Sequence, residues 1–538
     1  MRYGEAIAQL LSDYGVRDVF GIPGVHTIEL YRGFGATGIA THVARHEQGA
    51  GFMADGYARI TGRPGVCAVV TGPGLLNVLT PVAQAWHDSV PVLVIAAATR
   101  GGLRGRGPLH DVPDQVAAAA GAAGWSRLVE RPEMFPELLA GAWAVLTAGR
   151  PRPACLSVPI DHFATWIDGP WPAPAVESPD PRRPTAEQLH AAAEELRQAR
   201  RPVIIAGGGA VRRRGPDVGE GAGVAVEGLA MRLARVAEVL DAPVVCTGNG
   251  SGALDDGHPL AVGTLLPFSG ARELIAGADV VLALGTEFSE TDVIYTGIPV
   301  EVRGRLVRVD LDESQLAAHE AVVGVLADVG AFLSELLPLI EPGERRGGAA
   351  RAAAARGGVE WTAQSQRHLP WLDALAGACP AGVVTVLDST QLAYTAHQYV
   401  RKTGPWIAPY GLGTLGPALP MAAGVLVADP ELPVLVIVGD GGLLFTLAEL
   451  ATAVDLGRRL VVVVWDNQGY GEIRDSFDRA GVPRSGTEVT ALDLVTIARG
   501  FGAHAVRVDH PTALSAQVAA AFARAAVTVI VATADDLE

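Results

Sequence analysis

Val434-Leu-Val-Ile-Val438 runs into Gly439-Asp440-Gly441, and a second apolar run, Leu460-Val-Val-Val-Val-Trp465, runs into Asn467-Gln-Gly-Tyr-Gly471. Between them, residues 443–456 carry a helical pattern. Short, β-branched apolar runs bounded by glycine turns read as strands buried on both faces, so the stretch is a strand–helix–strand unit of a parallel sheet. Ligands of such sheets bind at the carboxyl ends of the strands. Both polar clusters lie at those ends. An Asp, an Asn side-chain oxygen and a backbone carbonyl are hard donors, the set a small octahedral cation takes beside phosphate oxygens.

The rest of the chain repeats this pattern. Residues 1–165 alternate strand and helix: a helix over 3–14, a strand at Val19-Phe-Gly-Ile-Pro-Gly24, a helix over 47–61, and strands at 66–70 and 90–97. A Pro-rich stretch over 170–184 reads as a linker. A second α/β unit covers 185–340, with strands at 203–206, 243–246, 280–284 and 306–310. Its Gly207-Gly-Gly209 turn lacks the full dinucleotide spacing. Residues 345–358, rich in Ala, Gly and Arg, read as a second linker, and 360–538 forms the third unit. The expectation is an α/β protein of three doubly wound parallel-sheet domains.

Bulk properties narrow the function. At 538 residues the chain exceeds one core. A net charge of −16 with no basic stripe excludes nucleic acid and anionic membranes as partners. Cys67, Cys155, Cys246 and Cys379 are scattered and read as reduced core thiols. With no signal-peptide pattern and no run of membrane-spanning length, a soluble, cytoplasmic protein is expected.

Gly-Asp-Gly followed at this distance by an Asn-containing strand end resembles the diphosphate-anchoring signature of thiamine-diphosphate (ThDP) enzymes. Further motifs match the acetolactate synthase, pyruvate decarboxylase and benzaldehyde lyase superfamily in order. They are Gly21-Ile-Pro-Gly24, Arg45-His-Glu-Gln48 with Ala54-Asp-Gly-Tyr-Ala-Arg59, Thr71-Gly-Pro-Gly-Leu-Leu-Asn77, Trp86-His-Asp-Ser-Val-Pro91 and Ala278-Asp-Val-Val-Leu-Ala-Leu-Gly285. The resemblance implies pyrimidine-binding, middle and diphosphate-binding domains in that order. It implies that Asp440, Asn467 and the Gly469 carbonyl hold Mg2+ against the diphosphate, with Gly439 and Gly441 shaping the turn. Asp466 stands where the family usually carries a first Asn.

The same resemblance makes Glu47 the carboxyl at the cofactor's pyrimidine nitrogen. There it lets the cofactor's own amine act as base, and burial is expected to raise its pKa. Gly411-Leu-Gly-Thr-Leu-Gly416 matches the loop that bends the cofactor, with Leu415 as wedge and Gly413 allowing close backbone approach. Pro23 and Thr71 are further cofactor contacts. His26, His110 and Gln115 are the substrate-side candidates. Acetolactate synthases carry an arginine in the middle-domain loop for a second oxo acid, whereas this chain has Thr286-Glu-Phe-Ser-Glu-Thr-Asp292. FAD in the middle domain is left undecided.

The implied activity is non-oxidative decarboxylation of a 2-oxo acid to an aldehyde. The alternative is an acetolactate synthase-like or benzaldehyde lyase-like carboligase or lyase. Gly24-Val-His26, Leu109-His-Asp-Val-Pro-Asp-Gln115 and the acidic loop resemble the branch that decarboxylates 5-guanidino-2-oxopentanoate. Glu287, Glu290, Asp292, Asp111, Glu472 and Asp475 are candidate receivers for a guanidinium. A homodimer is the implied minimal unit and a homotetramer the expected assembly.

Overall fold

The computed structural model describes residues 1–103, 105–176, 182–211, 222–293, 298–341 and 347–533. Eighteen strands among them form three six-stranded sheets in which every pairing between named strands is parallel.

The first sheet holds β1 (Asp18–Gly21), β2 (Ala40–Val43), β3 (Gly65–Val69), β4 (Val92–Ala98), β5 (Ser126–Leu128) and β6 (Ala154–Pro159), in the order 2-1-3-4-6-5. The second holds β7 (Val203–Ala206), β8 (Val244–Cys246), β9 (Ala261–Gly263), β10 (Val280–Leu284), β11 (Arg305–Asp310) and β12 (Val323–Leu326), in the order 12-11-10-7-8-9. The third holds β13 (Val384–Leu387), β14 (Trp406–Ile407), β15 (Val434–Gly439), β16 (Leu460–Asp466), β17 (His504–Val508) and β18 (Val527–Thr533), in the order 14-13-15-16-18-17. Strand for strand, the third sheet repeats the order of the first, although their sequences show no repeat. The middle sheet has the dinucleotide-fold order instead.

Central strands β3, β4, β6, β15 and β16 are buried along their whole length. Each aliphatic side chain so buried contributes about 1.5–3 kcal/mol relative to exposure. That is why β3, β4, β15 and β16 read as apolar runs, while β6, interrupted by Ser157, and edge strand β2, exposed or half-exposed throughout, were not read as strands.

Two readings are corrected. The 443–456 segment is two helices, Asp440–Phe445 and Glu449–Asp455. The break falls at Thr446, whose hydroxyl donates to the Gly416 carbonyl at 2.6 Å. The 345–358 stretch is no linker where it is described. Gly348–Gly357 is a helix with Ala352 and Ala355 buried, because alanine favours helix and its small side chain lets the helix pack closely on the one that begins at Ser269. Residues 345 and 346 of that stretch, and 177–181 of the Pro-rich linker, lie outside the described residues.

The first and third domains touch through two helices, Glu47–Thr61 and Ala418–Ala428. They cross where Gly56 faces the Met421 carbonyl and Gly424 faces the Met53 carbonyl, each with no room for a Cβ. Thus the Gly of Ala54-Asp-Gly-Tyr57 serves backbone-to-backbone packing.

Candidate active site

β15 and β16 are level at their ends, with Gly439 opposite Trp465. That register puts Asp440 and Asn467 side by side. Asp440 is 8% exposed, and burial raises its pKa. Its Oδ2 accepts from the Gly469 amide at 2.7 Å, which folds the second loop onto the first. The loop needs left-handed backbone at Gln468 (φ 57°) and at Gly469 (φ 139°); the first is tolerable to a side chain, the second to glycine.

The Asn467 side-chain oxygen lies 3.2 Å from Asp440 Oδ1 and 2.8 Å from the Gly469 carbonyl oxygen. No proton lies between any two of these acceptors. Turning the amide over would let its nitrogen donate to both. As oriented, however, Nδ2 donates to Gln391 Oε1 at 3.3 Å, and the turn would set oxygen against oxygen there. Three converging oxygens fit a divalent cation. The first-position Asp466 is neutralised by Arg507 at 2.8 Å, so it adds no free charge to the set.

The carboxyl edge of the first sheet gathers the other candidates. Glu47 opens its helix and accepts from Asn77 Nδ2 at 2.9 Å. It is half-buried, not largely buried as expected, because it stands at the N-terminus of its helix. His26 Nδ1 lies 3.1 Å from the hydroxyl of the buried Thr71. The His26 and His110 rings meet edge to face at 5.4 Å. Burial first, then His110 and Arg100, lower the His26 pKa, so its imidazole is neutral near pH 7. His110 takes a left-handed φ of 64°, and its carbonyl packs on Gly72.

Gln115 is buried and committed within the domain: its amide donates to the Ala97 carbonyl at 2.9 Å and the Ser157 hydroxyl at 3.0 Å, and accepts from Gly72 N at 3.2 Å. Both its donors are spent on joining strand ends. Pro23 is exposed just past β1.

Leu415 is half-buried in its loop, whose other apolar residue, Leu412, is 42% exposed. Gly413 has φ 66° with nothing near a Cβ, so it is required for backbone shape, while Gly411 is the closely packed glycine, against His87 and Asp88.

Several residues escaped the sequence reading. Glu449, 1% exposed, accepts from the amides of Arg45 (3.0 Å) and His46 (2.9 Å) and so fixes the strand end that presents Glu47. Asp388 accepts from Ser389 N (2.9 Å), Gly416 N (3.1 Å) and Ala418 N (3.2 Å) and packs on Gly442. It thereby joins the loop 411–416 to the turn that follows β15. Its sequence signal, an Asp ending a buried strand, is the one that marked Asp440.

The family models match here. Residues 1–133 match the thiamine pyrophosphate enzyme N-terminal TPP binding domain, 189–336 the central domain and 388–532 the C-terminal TPP binding domain. The chain belongs to the thiamine pyrophosphate enzymes. It is 40% identical to the probable 2-ketoarginine decarboxylase AruI of Pseudomonas aeruginosa, over 98% of this chain and 93% of that one. It is 31% identical to the acetolactate synthase large subunit IlvB1 of Mycobacterium tuberculosis (87% and 76%) and 28% identical to acetolactate synthase isozyme 1 of Escherichia coli (93% and 88%).

In this thiamine pyrophosphate enzyme the carboxyl edge of the middle sheet carries charged side chains of its own and of the first domain. Gly209 and Gly285 are in backbone contact. Arg150, from the first domain, reaches Glu287 and lies 3.4 Å from Asp312. A cavity of about 110 Å3 remains, lined also by Asp292 and Asp310.

Among the described residues no helix is long and apolar enough to cross a membrane. All four cysteines are free thiols.

Proposed function

We propose that this enzyme, with ThDP and Mg2+, decarboxylates a 2-oxo acid with a guanidinium tail, 5-guanidino-2-oxopentanoate or a near homologue, to CO2 and the shortened aldehyde. The observation that carries the reading is the full-length 40% identity to a 2-ketoarginine decarboxylase. The acetolactate synthases named above lie at 28–31%. A carboligase reading has no support in the loop 286–292, whose charged side chains are all acidic.

When bound, the cofactor supplies the electron sink for the leaving carboxylate. The chain does the rest. Asp440, Asn467 and the Gly469 carbonyl hold Mg2+ on the diphosphate. Glu47, oriented by Asn77, holds the proton at the pyrimidine nitrogen. Leu415 would bend the bound cofactor, and His26, neutral near pH 7 with His110 against its ring, moves the proton that replaces CO2. Glu47 and Asp440 belong to different domains. Large exposed apolar side chains fringe both site edges: Val25 and Leu76 on the first domain, Leu444 and Phe445 on the third, at 38–74% exposure. A homodimer joining one subunit's first domain to its partner's third would cover them.

For the guanidinium, four of the acidic candidates are already engaged. Asp111 accepts from Thr99 and from Gly105 N, Glu287 pairs with Arg150, Asp475 accepts from Gln364 and Gln391, and Asp292 accepts from Gly248 N. Glu290 is exposed on the middle domain. Glu472 opens the helix directly after the metal loop. Its Oε2 lies 3.4 Å from Gln391, the residue that also holds Asn467, and its Oε1 takes the exposed guanidinium of Arg479 at 2.7 Å. An exposed pair is worth about 0.2–1 kcal/mol, so a substrate guanidinium can replace Arg479.

A charged hydrogen bond contributes about 1.5–3 kcal/mol, roughly a 10- to 150-fold preference in kcat/KM for the guanidino acid over 2-oxohexanoate. Glu472→Gln should erase that preference and leave 2-oxohexanoate turnover nearly unchanged, while Glu290→Gln keeps it. CO2 and aldehyde release decide the matter. Equal use of both acids by the unaltered enzyme would refute the cationic substrate.

A further inference from the structure

Asp88 ends the helix Pro73–His87, on the edge of the first domain away from Glu47 and Thr71. Its carboxylate is buried and serves three domains. Oδ2 accepts from Arg59 and Gln84, both at 2.7 Å and both of the first domain. Oδ1 accepts from Asn249 Nδ2 of the middle domain at 3.0 Å and from the Gly411 amide of the third at 2.9 Å.

Gly411 begins the loop that carries Leu415. A Cβ there would press on His87 and Asp88, so the contact is backbone on side chain with no slack. The far end of the loop is held by Asp388 through Gly416 and Ala418. Between these two points Leu412 and Gly413 are exposed. The turn that presents Asn249 is itself fixed: Gly248 packs on the Tyr410 ring, next to Gly411, and its amide donates to Asp292 at 3.4 Å. Ser89, the next residue after Asp88, takes a left-handed φ of 56° and accepts from Arg150 at 2.8 Å. Strained backbone of this kind persists where surrounding contacts over-determine it.

We propose that Asp88 is a positioning residue for the cofactor-bending loop, and that through Asn249 the middle domain sets how that loop meets ThDP. The inference rests on the ThDP reading above. A buried carboxylate shared by two domain-crossing donors fixes the loop's first residue to hydrogen-bond precision. Removing one donor leaves the carboxylate in place but frees the loop to shift against its Asp388 end.

The test uses the full-length protein and Asn249→Ala, which keeps the first-domain network of Asp88 intact, with Asp88→Asn as the stronger variant. Hydrogen–deuterium exchange of peptides spanning 409–417 is followed without cofactor, and ThDP affinity and kcat at saturating ThDP are followed with Mg2+. Asn249→Ala should speed exchange in that segment and weaken ThDP about three- to tenfold, part of the roughly tenfold or more that a charge-assisted hydrogen bond is worth. It should also lower kcat at saturation, with the unfolding midpoint held; a purely structural contact would move the midpoint and leave kcat alone. Unchanged exchange at 409–417 in folded Asn249→Ala overturns the proposal. Faster exchange with ThDP affinity and kcat both unaltered also overturns it. If Asp88→Asn fails to fold, Asn249→Ala decides alone. Failure of the unaltered protein to bind ThDP would refute the cofactor reading, while the exchange measurement would still report on the clamp.

Discussion

Glu47 and Asp440 carry the same carboxyl group in different surroundings, and the tasks proposed for them differ accordingly. Asp440, proposed above as a metal ligand, is buried, with Oδ2 accepting from Gly469 N and Oδ1 lying 3.2 Å from the Asn467 side-chain oxygen. Glu47 sits at a helix start where, among the described residues, one oxygen accepts from Asn77; in the proposed role the second would meet the pyrimidine nitrogen. A group that must share a proton needs an open face. Glu47→Gln keeps size and the Asn77 contact but cannot exchange a proton. It should therefore bind ThDP as the unaltered enzyme does and lose about a hundredfold or more in kcat, the scale of acid–base catalysis. Steady-state turnover with parallel calorimetry checks it, and near-normal kcat would remove Glu47 from the role. Residues of this kind were legible because the chemistry demands a particular side chain at a strand or helix end. Glu449 and Asp388 were not, because they act on backbone amides distant in sequence, and no local pattern records which amide a buried carboxylate will meet.

At the scale of elements, the apolar runs announced β15 and β16 on either side of Asp440, and Gly439 announced where β15 stops, whereas their buried neighbours β13 and β18 were not read from the sequence. Edge strands β2, β9, β12 and β14 gave no such signal, since a strand of two to four residues with one open edge need not be apolar. Glycine carried a second message that the sequence left ambiguous. In Ala54-Asp-Gly-Tyr57 the glycine is a helix-interior residue, costing about 1 kcal/mol in propensity. The structure explains its presence through the Met421 carbonyl that it faces, and Gly424 repeats the device toward Met53. Because the obstacle is backbone on each side, neither helix can yield by turning a side chain. Gly424→Ala should then cost about 1–3 kcal/mol by overpacking, despite alanine's better helix propensity. The readout is the urea midpoint of the full-length protein. A midpoint equal to or above that of the unaltered chain would show that the two domains can separate slightly without loss.

Across the whole molecule the domains are joined by buried ionisable groups, and this gives stability an unusual dependence on pH. Asp292, at the junction of the middle and third domains, has its carboxyl pushed up to about 7, with burial the main cause and the Gly248 and Ser289 amides opposing it. Asp388, beneath the wedge loop, is pushed up to about 6 by burial against three amide donors. Both would titrate near 4 in the unfolded chain. Between about pH 4 and 7 the folded protein therefore holds more protons than the unfolded one, and stability falls as pH rises through that window. Asp312 works in the opposite sense, because its hydrogen bonds from Ser314 and the nearby Arg150 outweigh its own burial and lower its pKa; the stability it contributes is present above about pH 4 and is lost as pH falls below that. The chain's charge of −16 at pH 7 also shrinks as pH falls toward the pI near 5.3, which relieves self-repulsion. Asp292→Asn separates the two effects, since it removes one titration and one unit of charge out of sixteen. It should flatten the urea-midpoint profile between pH 5.5 and 7.5 by up to ~1.4 kcal/mol per pH unit, the limit for one proton. A profile that keeps its slope in Asp292→Asn would assign the dependence to surface repulsion and leave the buried junction carboxyl without a part in it.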